Sequence, residues 1–242
     1  MLLSARFTPE HLGRSTTIGI GFAIQDAVQS VPPPLQTVDL SYPENLGIAL
    51  SGLGLETCTA PTLEMLGPAG CPPNSLMGHG TAFGEIPFGP AIIHESASVA
   101  IVRAEDENGQ IALLFDAQGI SPVEANLVFT GVLLPSVRPY GGDIRIDVPL
   151  VPSLPEAPDV AVVGLQATLG PAGLTYYEHV HGTTVPYTPR GILLPARCPH
   201  TGFPFAASIA FVRNSHASAR TRVRCPARSS RVRSRRSARA NG

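Results

Sequence analysis

Proline and glycine interrupt this chain throughout its length and limit what it can fold into. The 242 residues include 25 Pro and 24 Gly, together about a fifth of the chain, and these residues are scattered without a period. Because proline breaks helices and glycine weakens them, the distribution excludes collagen and argues against long helices. The chain must therefore build its core from short elements separated by turns.

Alternating apolar residues fill the stretches between these breaks. In the segment 15–25, Ile18, Ile20 and Phe22 alternate with small or polar residues, a period typical of a strand with one buried face. Similar patterns predict strands within the segments 35–43, 97–119, 125–134, 142–151, 160–170, 174–182 and 204–212. About ten short strands with frequent turns predict an all-β fold, either an antiparallel β-sandwich or a jelly-roll-like arrangement.

The strongest local signal lies within 97–119, where two apolar runs flank an acidic turn. This turn contains Asn108-Gly109, a dipeptide that favours the left-handed backbone of a tight hairpin turn. The sequence therefore predicts a hairpin there.

Only one segment favours a helix. In TAPTLEMLGPAG, Thr59 is a suitable N-cap, Pro61 fits the first turn and Gly67-Pro68 ends the pattern after about two turns. Cysteines stand on both sides of this segment. A disulfide between them would clamp the short helix to the sheet.

The four cysteines form two local pairs, Cys58 with Cys71 and Cys198 with Cys225. Turn-forming residues surround them, and an even number in close pairs favours two disulfides over a zinc site, because the chain contains no CxxC. Two disulfides imply an exported protein. The N-terminal residues lack the apolar core of a signal peptide, so either the natural start lies upstream or the chain is a mature form. A cytosolic protein with four free thiols is the remaining alternative.

Charge divides the chain into an acidic body and a basic end. All 17 basic residues are Arg, and ten of them follow residue 212, where no acid occurs. We expect residues 227–242 to be a disordered, Arg-rich tail, because this segment has too few apolar residues to fold. No aromatic residue interleaves the arginines, so nucleic-acid binding is not expected.

Residues 1–226 are expected to form the folded region. The proline-rich segment 148–163 is either a linker between two sub-domains or a crossover within one sandwich. The sequence leaves both alternatives open.

No catalytic or metal-binding pattern is complete, and neither a cofactor nor a metal is expected. His179 and His181 have the spacing of two metal ligands on one strand face, but no acid follows in HGTTVPYTPRG to complete a cupin-like site. Asp143 and Asp147 are about 13 Å apart on an extended strand, too far for a pair of catalytic carboxylates. The acidic run 105–107 is expected to be a solubilising turn.

Nucleophilic catalysis is equally unsupported. No GxSxG occurs around Ser15 or Ser75, the two serines nearest to that pattern. A nucleophilic Cys198 acting with His200 is not expected, because each cysteine is expected to be paired in a disulfide.

Several segments resemble an uncharacterised family of exported, disulfide-bonded, β-rich proteins from high-GC Gram-positive bacteria. The segments are FTPEHLGRSTTIGIGF, ENLGIALSGLGLETC with GCPPNSLMGHG, VPLVPSLPEAPDVAVV, and YYEHVHG with YTPRGILLPARCPHTGFPFAASIAF. The resemblance covers roughly residues 4 to 226 and implies export and a disulfide-bonded β-fold. It implies no catalytic residue.

Together these features favour a non-catalytic, exported or cell-envelope protein with a structural or binding role. Its partner would be a cell-envelope polymer or another surface protein. No apolar run reaches the ~18–20 residues of a membrane-spanning helix. The alternative is an extracellular β-sandwich hydrolase or lyase that acts on polysaccharide.

Overall fold

The architecture was established from a computed structural model of the chain. The structure describes residues 1–24, 31–48, 56–121, 124–151, 153, 157–170, 176–187, 191–212 and 214–226. The predicted disordered tail, residues 227–242, lies outside the described residues.

Strands dominate the described part of the chain. They are β1 (Leu2–Thr8), β2 (Ser15–Ala23), β3 (Leu35–Pro43), β4 (Gly47–Ile48), β5 (Leu76–Phe88), β6 (Ala91–Arg103), β7 (Ala112–Ser121), β8 (Asn126–Leu134), β9 (Tyr140–Asp147), β10 (Ala161–Leu169), β11 (Tyr176–Val180), β12 (Thr183–Tyr187), β13 (Ile192–Leu193), β14 (Phe203–Phe211) and β15 (His216–Val223). One α-helix, α1 (Ala60–Leu66), and two short 3₁₀ helices, Pro68–Gly70 and Pro73–Ser75, complete the set.

Thirteen strands form one antiparallel sheet that curls into a nearly closed barrel. The order is β15-β14-β3-β9-β8-β7-β6-β5-β10-β2, after which β1 pairs with β2 along its whole length. Strand β1 also lies beside β15, which brings the two ends of this order together. The short strands β13 and β4 continue the sheet from β2, while β11 and β12 form a separate two-stranded sheet.

The predicted all-β, antiparallel character is confirmed, but the predicted sandwich or jelly roll is not. Alternation of apolar and polar residues shows that one face of each strand is buried, without showing what buries it. Here the single sheet closes on its own apolar face, so no second sheet is needed.

Inward-facing side chains fill one side of the barrel with aromatic rings. The ring of Phe7 on β1 lies edge-on to Phe203 on β14, with centroids 5.1 Å apart, and 5.9 Å from Phe205. All three rings are buried, as are the alternate residues of β14 that follow them. This cluster packs β1 against the last hairpin, where the barrel nearly closes.

The short helix lies on the outer face of the sheet. As predicted, Thr59 caps α1: its hydroxyl accepts a hydrogen bond from the Thr62 N–H at 3.3 Å. Gly67 ends the helix with a φ of 64°, a conformation that favours glycine. Leu63 is the buried residue of the helix, and it packs with Val102 and other outward residues of β6 and β7 in a second apolar cluster.

Both predicted disulfides are present. Cys58 and Cys71 bridge the two ends of the helical segment, with Cα atoms 5.3 Å apart. Cys198 and Cys225 close the open end of the β14–β15 hairpin, with Cα atoms 5.8 Å apart. Each bridge therefore joins the two ends of one local segment and does not link strands that are distant in the sequence.

The predicted hairpin at Asn108-Gly109 is also present, between β6 and β7. Both residues have positive φ, 52° and 77°, and the backbone of Glu107 and Gln110 is joined by two hydrogen bonds. These angles match the tight turn that the dipeptide favours.

The proline-rich segment 148–163 joins β9 to β10. Both strands belong to the same sheet, although they are not neighbours in it. Within the described ranges, no helix has the length and apolar character that a membrane-spanning segment requires.

Candidate functional site

Small inward-facing residues leave the barrel interior unfilled between β5 and β8. The resulting space has a volume of about 120 Å³, and we call it the Glu95 cavity after its one carboxylate among the described lining residues. Six of these lining residues are alanine or glycine: Ala82, Gly84, Ala97, Ala117, Gly119 and Ala125.

The strand register explains why these small residues lie together. Ala97 on β6 stands between Ala82 on β5 and Gly119 on β7. Two residues further along β6, Val99 stands opposite Ala117 on β7. Because residues directly opposite each other point to the same face, the small side chains form one continuous patch of the inner wall.

Aromatic rings close other parts of this wall. Phe115 and Phe129 stand opposite each other on β7 and β8, and their rings stack nearly parallel with centroids 5.5 Å apart. Phe22 and Phe83 line the cavity as well. The lining is therefore apolar almost throughout.

Glu95 is the exception on this apolar wall. It lies on β6 at the inward position before Ala97, and only 9% of the residue is exposed. Its strand partner is Gly84, where an added Cβ would lie 2.5 Å from Cγ1 of Val160 and 3.5 Å from Cβ of Glu95. Residue 84 can therefore carry no side chain without displacing its neighbours.

A second cavity, the Met77 cavity, lies along the same interior and has a volume of about 280 Å³. Its lining is also mostly apolar and includes Met77, Leu113 and Leu169. Ile101 lines both cavities and so stands between them.

Tyr42 supplies a polar group to the Met77 cavity. Burial raises the pKa of the Tyr42 hydroxyl, and the nearby carboxylate of Asp143 raises it further. The ring lies over Gly142 on β9. Glycine allows this position, since a Cβ at residue 142 would collide with the Tyr42 hydroxyl. At neutral pH this hydroxyl is a neutral hydrogen-bonding group.

A polar groove of about 380 Å³ crosses the outer face of β1, β2, β10 and β5. Gly19 and Gly21 form part of its floor. Hydrogen-bonding side chains surround them: Ser4, Arg6, His79, Thr81, Gln166 and Thr168. This groove suits a polar ligand, whereas the two interior cavities suit an apolar one.

The structure separates the two histidines considered as metal ligands. His179 lies on β11, and its Nε2 is 3.3 Å from the Thr184 hydroxyl. His181 lies in the following turn with a φ of 50°, so the two imidazoles are not on one strand face. Among the described residues, no group of three or more His, Cys, Asp or Glu side chains could hold a metal ion.

The carboxylate candidates lie on β9 and in the acidic turn between β6 and β7. Asp143 and Asp147 flank Arg145 on β9, and Arg145 donates a hydrogen bond of 2.8 Å to Asp39. In the acidic turn, Asp106 accepts a hydrogen bond of 2.7 Å from Arg103. Of these candidates, Asp106 therefore lies in an ion pair, with Arg103.

The two serines considered as nucleophiles lie in different elements. Ser75 is fully buried, and its hydroxyl donates to the Pro72 carbonyl at 2.7 Å. Ser15 lies at the start of β2. All four cysteines are in disulfides.

Comparison of the chain with protein-family models, curated proteins and solved structures finds no match. The candidate site therefore depends on its own geometry.

Sequence analysis missed the residues of the Glu95 cavity. One signal was available: Glu95 has the same parity as Ala97, Val99 and Ile101, and it is an acid on the buried face of a strand. The alanines carried no such signal, because alanine at an inward position is ordinary until the neighbouring strands are known.

Proposed function

We propose that this protein is a non-catalytic binding protein that holds a small apolar ligand inside its barrel. The observation that carries this proposal is the Glu95 cavity, to which β5, β6 and β7 each contribute alanine or glycine. An apolar cavity of ~150 Å³ in another protein binds benzene, so the volume here suits a ligand of that scale.

Energetics support a ligand in this space. Protein interiors are normally packed as densely as organic crystals, and an unfilled cavity costs about 24 cal/mol per Å³. A ligand that fills the space would offset much of this cost.

We also propose that the protein works outside the cytoplasm, in an oxidising compartment. Two disulfides support this, because such bonds persist where thiols are not kept reduced. The sequence resemblance to exported proteins agrees with it. A cell-envelope location and an envelope-polymer partner stay predictions, for which the polar groove offers the fitting chemistry. The alternative, an enzyme acting on polysaccharide, also stays a prediction.

The binding proposal is tested by titrating the purified, disulfide-intact protein with toluene and following binding by NMR. Toluene is expected to shift resonances of cavity residues and to raise the melting temperature. Ala117→Leu places a larger side chain in the cavity and is expected to abolish binding. Ala23→Leu makes the same change at an exposed position on β2 and serves as the matched control.

Two results would overturn the proposal. One is the absence of saturable toluene binding to the wild-type protein. The other is equal binding to the wild-type and Ala117→Leu proteins, which would place the ligand elsewhere.

A further inference from the structure

We infer that the ligand of the Glu95 cavity carries a hydrogen-bond-donating end, an amine or a hydroxyl, and that the cavity rejects carboxylates. This inference rests on the proposed function and names the class of molecule that the same site would take. Apolar molecules of the fatty-acid type, which end in a carboxylate, are thereby excluded.

The position of one charged group carries the inference. Among the described lining residues, Glu95 has the only ionisable side chain, and it shares the inner wall with alanines, valines and phenylalanines. A ligand that fills the cavity must therefore place one part of itself near this carboxyl group. The rest of the described lining offers only apolar side chains.

Charge decides which ligand ends are tolerated there. A carboxylate only accepts hydrogen bonds, and bonds from an ammonium or hydroxyl group to it are shorter and stronger than those between neutral groups. A second carboxylate would face a like charge where few water molecules can screen it. The discrimination therefore follows the sign of the ligand's charge.

Glu95 can serve the protein and a ligand together. It takes part in an interaction within the protein, and a carboxylate has about four lone-pair sites on its two oxygens. Its strand partner Gly84 contributes no side chain, because a Cβ there would lie against Glu95 and collide with Val160. The apolar Val160 side chain occupies this space, so β5 places no polar side chain directly opposite Glu95.

The inference is tested with a series of ligands of nearly equal size: toluene, benzyl alcohol, benzylamine and benzoate. Dissociation constants are measured by NMR titration at pH 7. In the wild-type protein, benzyl alcohol and benzylamine are expected to bind at least tenfold more tightly than benzoate. In Glu95→Gln, this difference is expected to fall below threefold, while the affinity for toluene stays within twofold.

Glu85→Gln is the matched control. Glu85 lies on the neighbouring strand β5, directly after Gly84, the strand partner of Glu95. Its carboxylate faces the outer surface, 3.6 Å from Nδ1 of His94. Removing this charge is expected to leave the preference for benzylamine over benzoate unchanged. A loss of preference in both variants would indicate a general effect of negative charge and would overturn the assignment to Glu95.

The outcomes separate this inference from the proposed function. If none of the four molecules binds, the proposed function fails. If toluene binds and benzoate binds as tightly as benzylamine, the proposed function stands and the inference is wrong. The wild-type series decides this even if Glu95→Gln does not fold.

Discussion

The interior of the barrel is densely packed on one side and contains a cavity on the other. Where β1 meets β14, the phenylalanine side packs Phe7, Phe203 and Phe205 against one another. Between β5 and β8, the alanine side presents residues such as Ala97 and Ala117 to a cavity. Both sides follow the same alternation of inward and outward residues.

The difference therefore lies in side-chain volume and not in pattern. A phenylalanine buries roughly 150–250 Å² and contributes strongly to stability. Alanine contributes little and leaves space. We interpret the phenylalanine side as the part that holds the barrel together and the alanine side as the part that receives a ligand.

The largest expected effect comes from Phe203→Ala on the phenylalanine side. Phe203 is 0% exposed and contacts Phe7, so its loss should lower the free energy of unfolding by about 3–5 kcal/mol. Urea denaturation measures this. Phe88→Ala is the control, since Phe88 is 52% exposed and should cost about 1 kcal/mol at most. Equal losses of unfolding free energy at the two positions would contradict the interpretation that the phenylalanine side holds the barrel together.

Removal of the second disulfide should have a similar but slightly smaller effect. The Cys198–Cys225 bridge closes the hairpin that supplies Phe203, and its loop should contribute about 3.5 kcal/mol by restricting the unfolded chain. Calorimetry of the Cys198→Ala/Cys225→Ala double variant should therefore show a much lower melting temperature. An unchanged melting temperature would mean that the phenylalanine cluster holds this hairpin unaided.

The same substitution on the two sides gives the most direct comparison. Ala207 on β14 is 2% exposed within packed surroundings, so Ala207→Leu should destabilise the protein by about 1–3 kcal/mol. Ala117→Leu enters the cavity and should leave stability unchanged or raise it by about 1 kcal/mol. Chemical denaturation of both variants decides the matter. If Ala117→Leu destabilises as much as Ala207→Leu, the cavity is not an available space.

The smallest effect concerns Asp116, which lies on the outer face of the alanine side. Burial raises the pKa of Asp116, although a hydrogen bond of 2.9 Å from Gln118 opposes this. A raised pKa means that the ionised form destabilises the fold, so protonation relieves the cost as the pH falls. Asp116→Asn should therefore be more stable than the wild type at pH 7.

This advantage should shrink as the pH falls through the pKa of Asp116 towards the ordinary carboxyl value of 3.8. Melting temperatures measured between pH 7 and pH 3.5 provide the check. Glu124→Gln, at an exposed position, should show no such trend. A constant difference between Asp116→Asn and the wild type would contradict the assigned cause.

Features coded within a few residues were predictable from the sequence. The cap at Thr59 and the turn at Asn108-Gly109 depend on neighbouring residues, and both are present as predicted. The two disulfides, which join cysteines 13 and 27 residues apart, were predictable because the four cysteines fall into two separate pairs along the chain. Strands β2 and β3 were likewise visible in their own alternation.

Features that depend on distant partners were not predictable. Strand β1 was overlooked because Ala5 is a weak apolar signal between Leu3 and Phe7, although all three face the core. Strand β15 was overlooked because its outward arginines resemble the start of the basic tail. The cavity forms because small residues on different strands become neighbours. To predict it from the sequence, one would need the register of four strands.

The closing position of β14 and β15 also affects how the chain reaches its native state during synthesis. Strand β3 is complete by residue 43, yet its partner β14 begins at residue 203. Until that hairpin has been synthesised, the backbone groups on this edge of β3 and the inward ring of Phe7 lack their native neighbours. Such long-range pairing slows folding and lengthens exposure to aggregation. A nascent chain with this strand order would benefit from a chaperone that holds it until its last hairpin emerges.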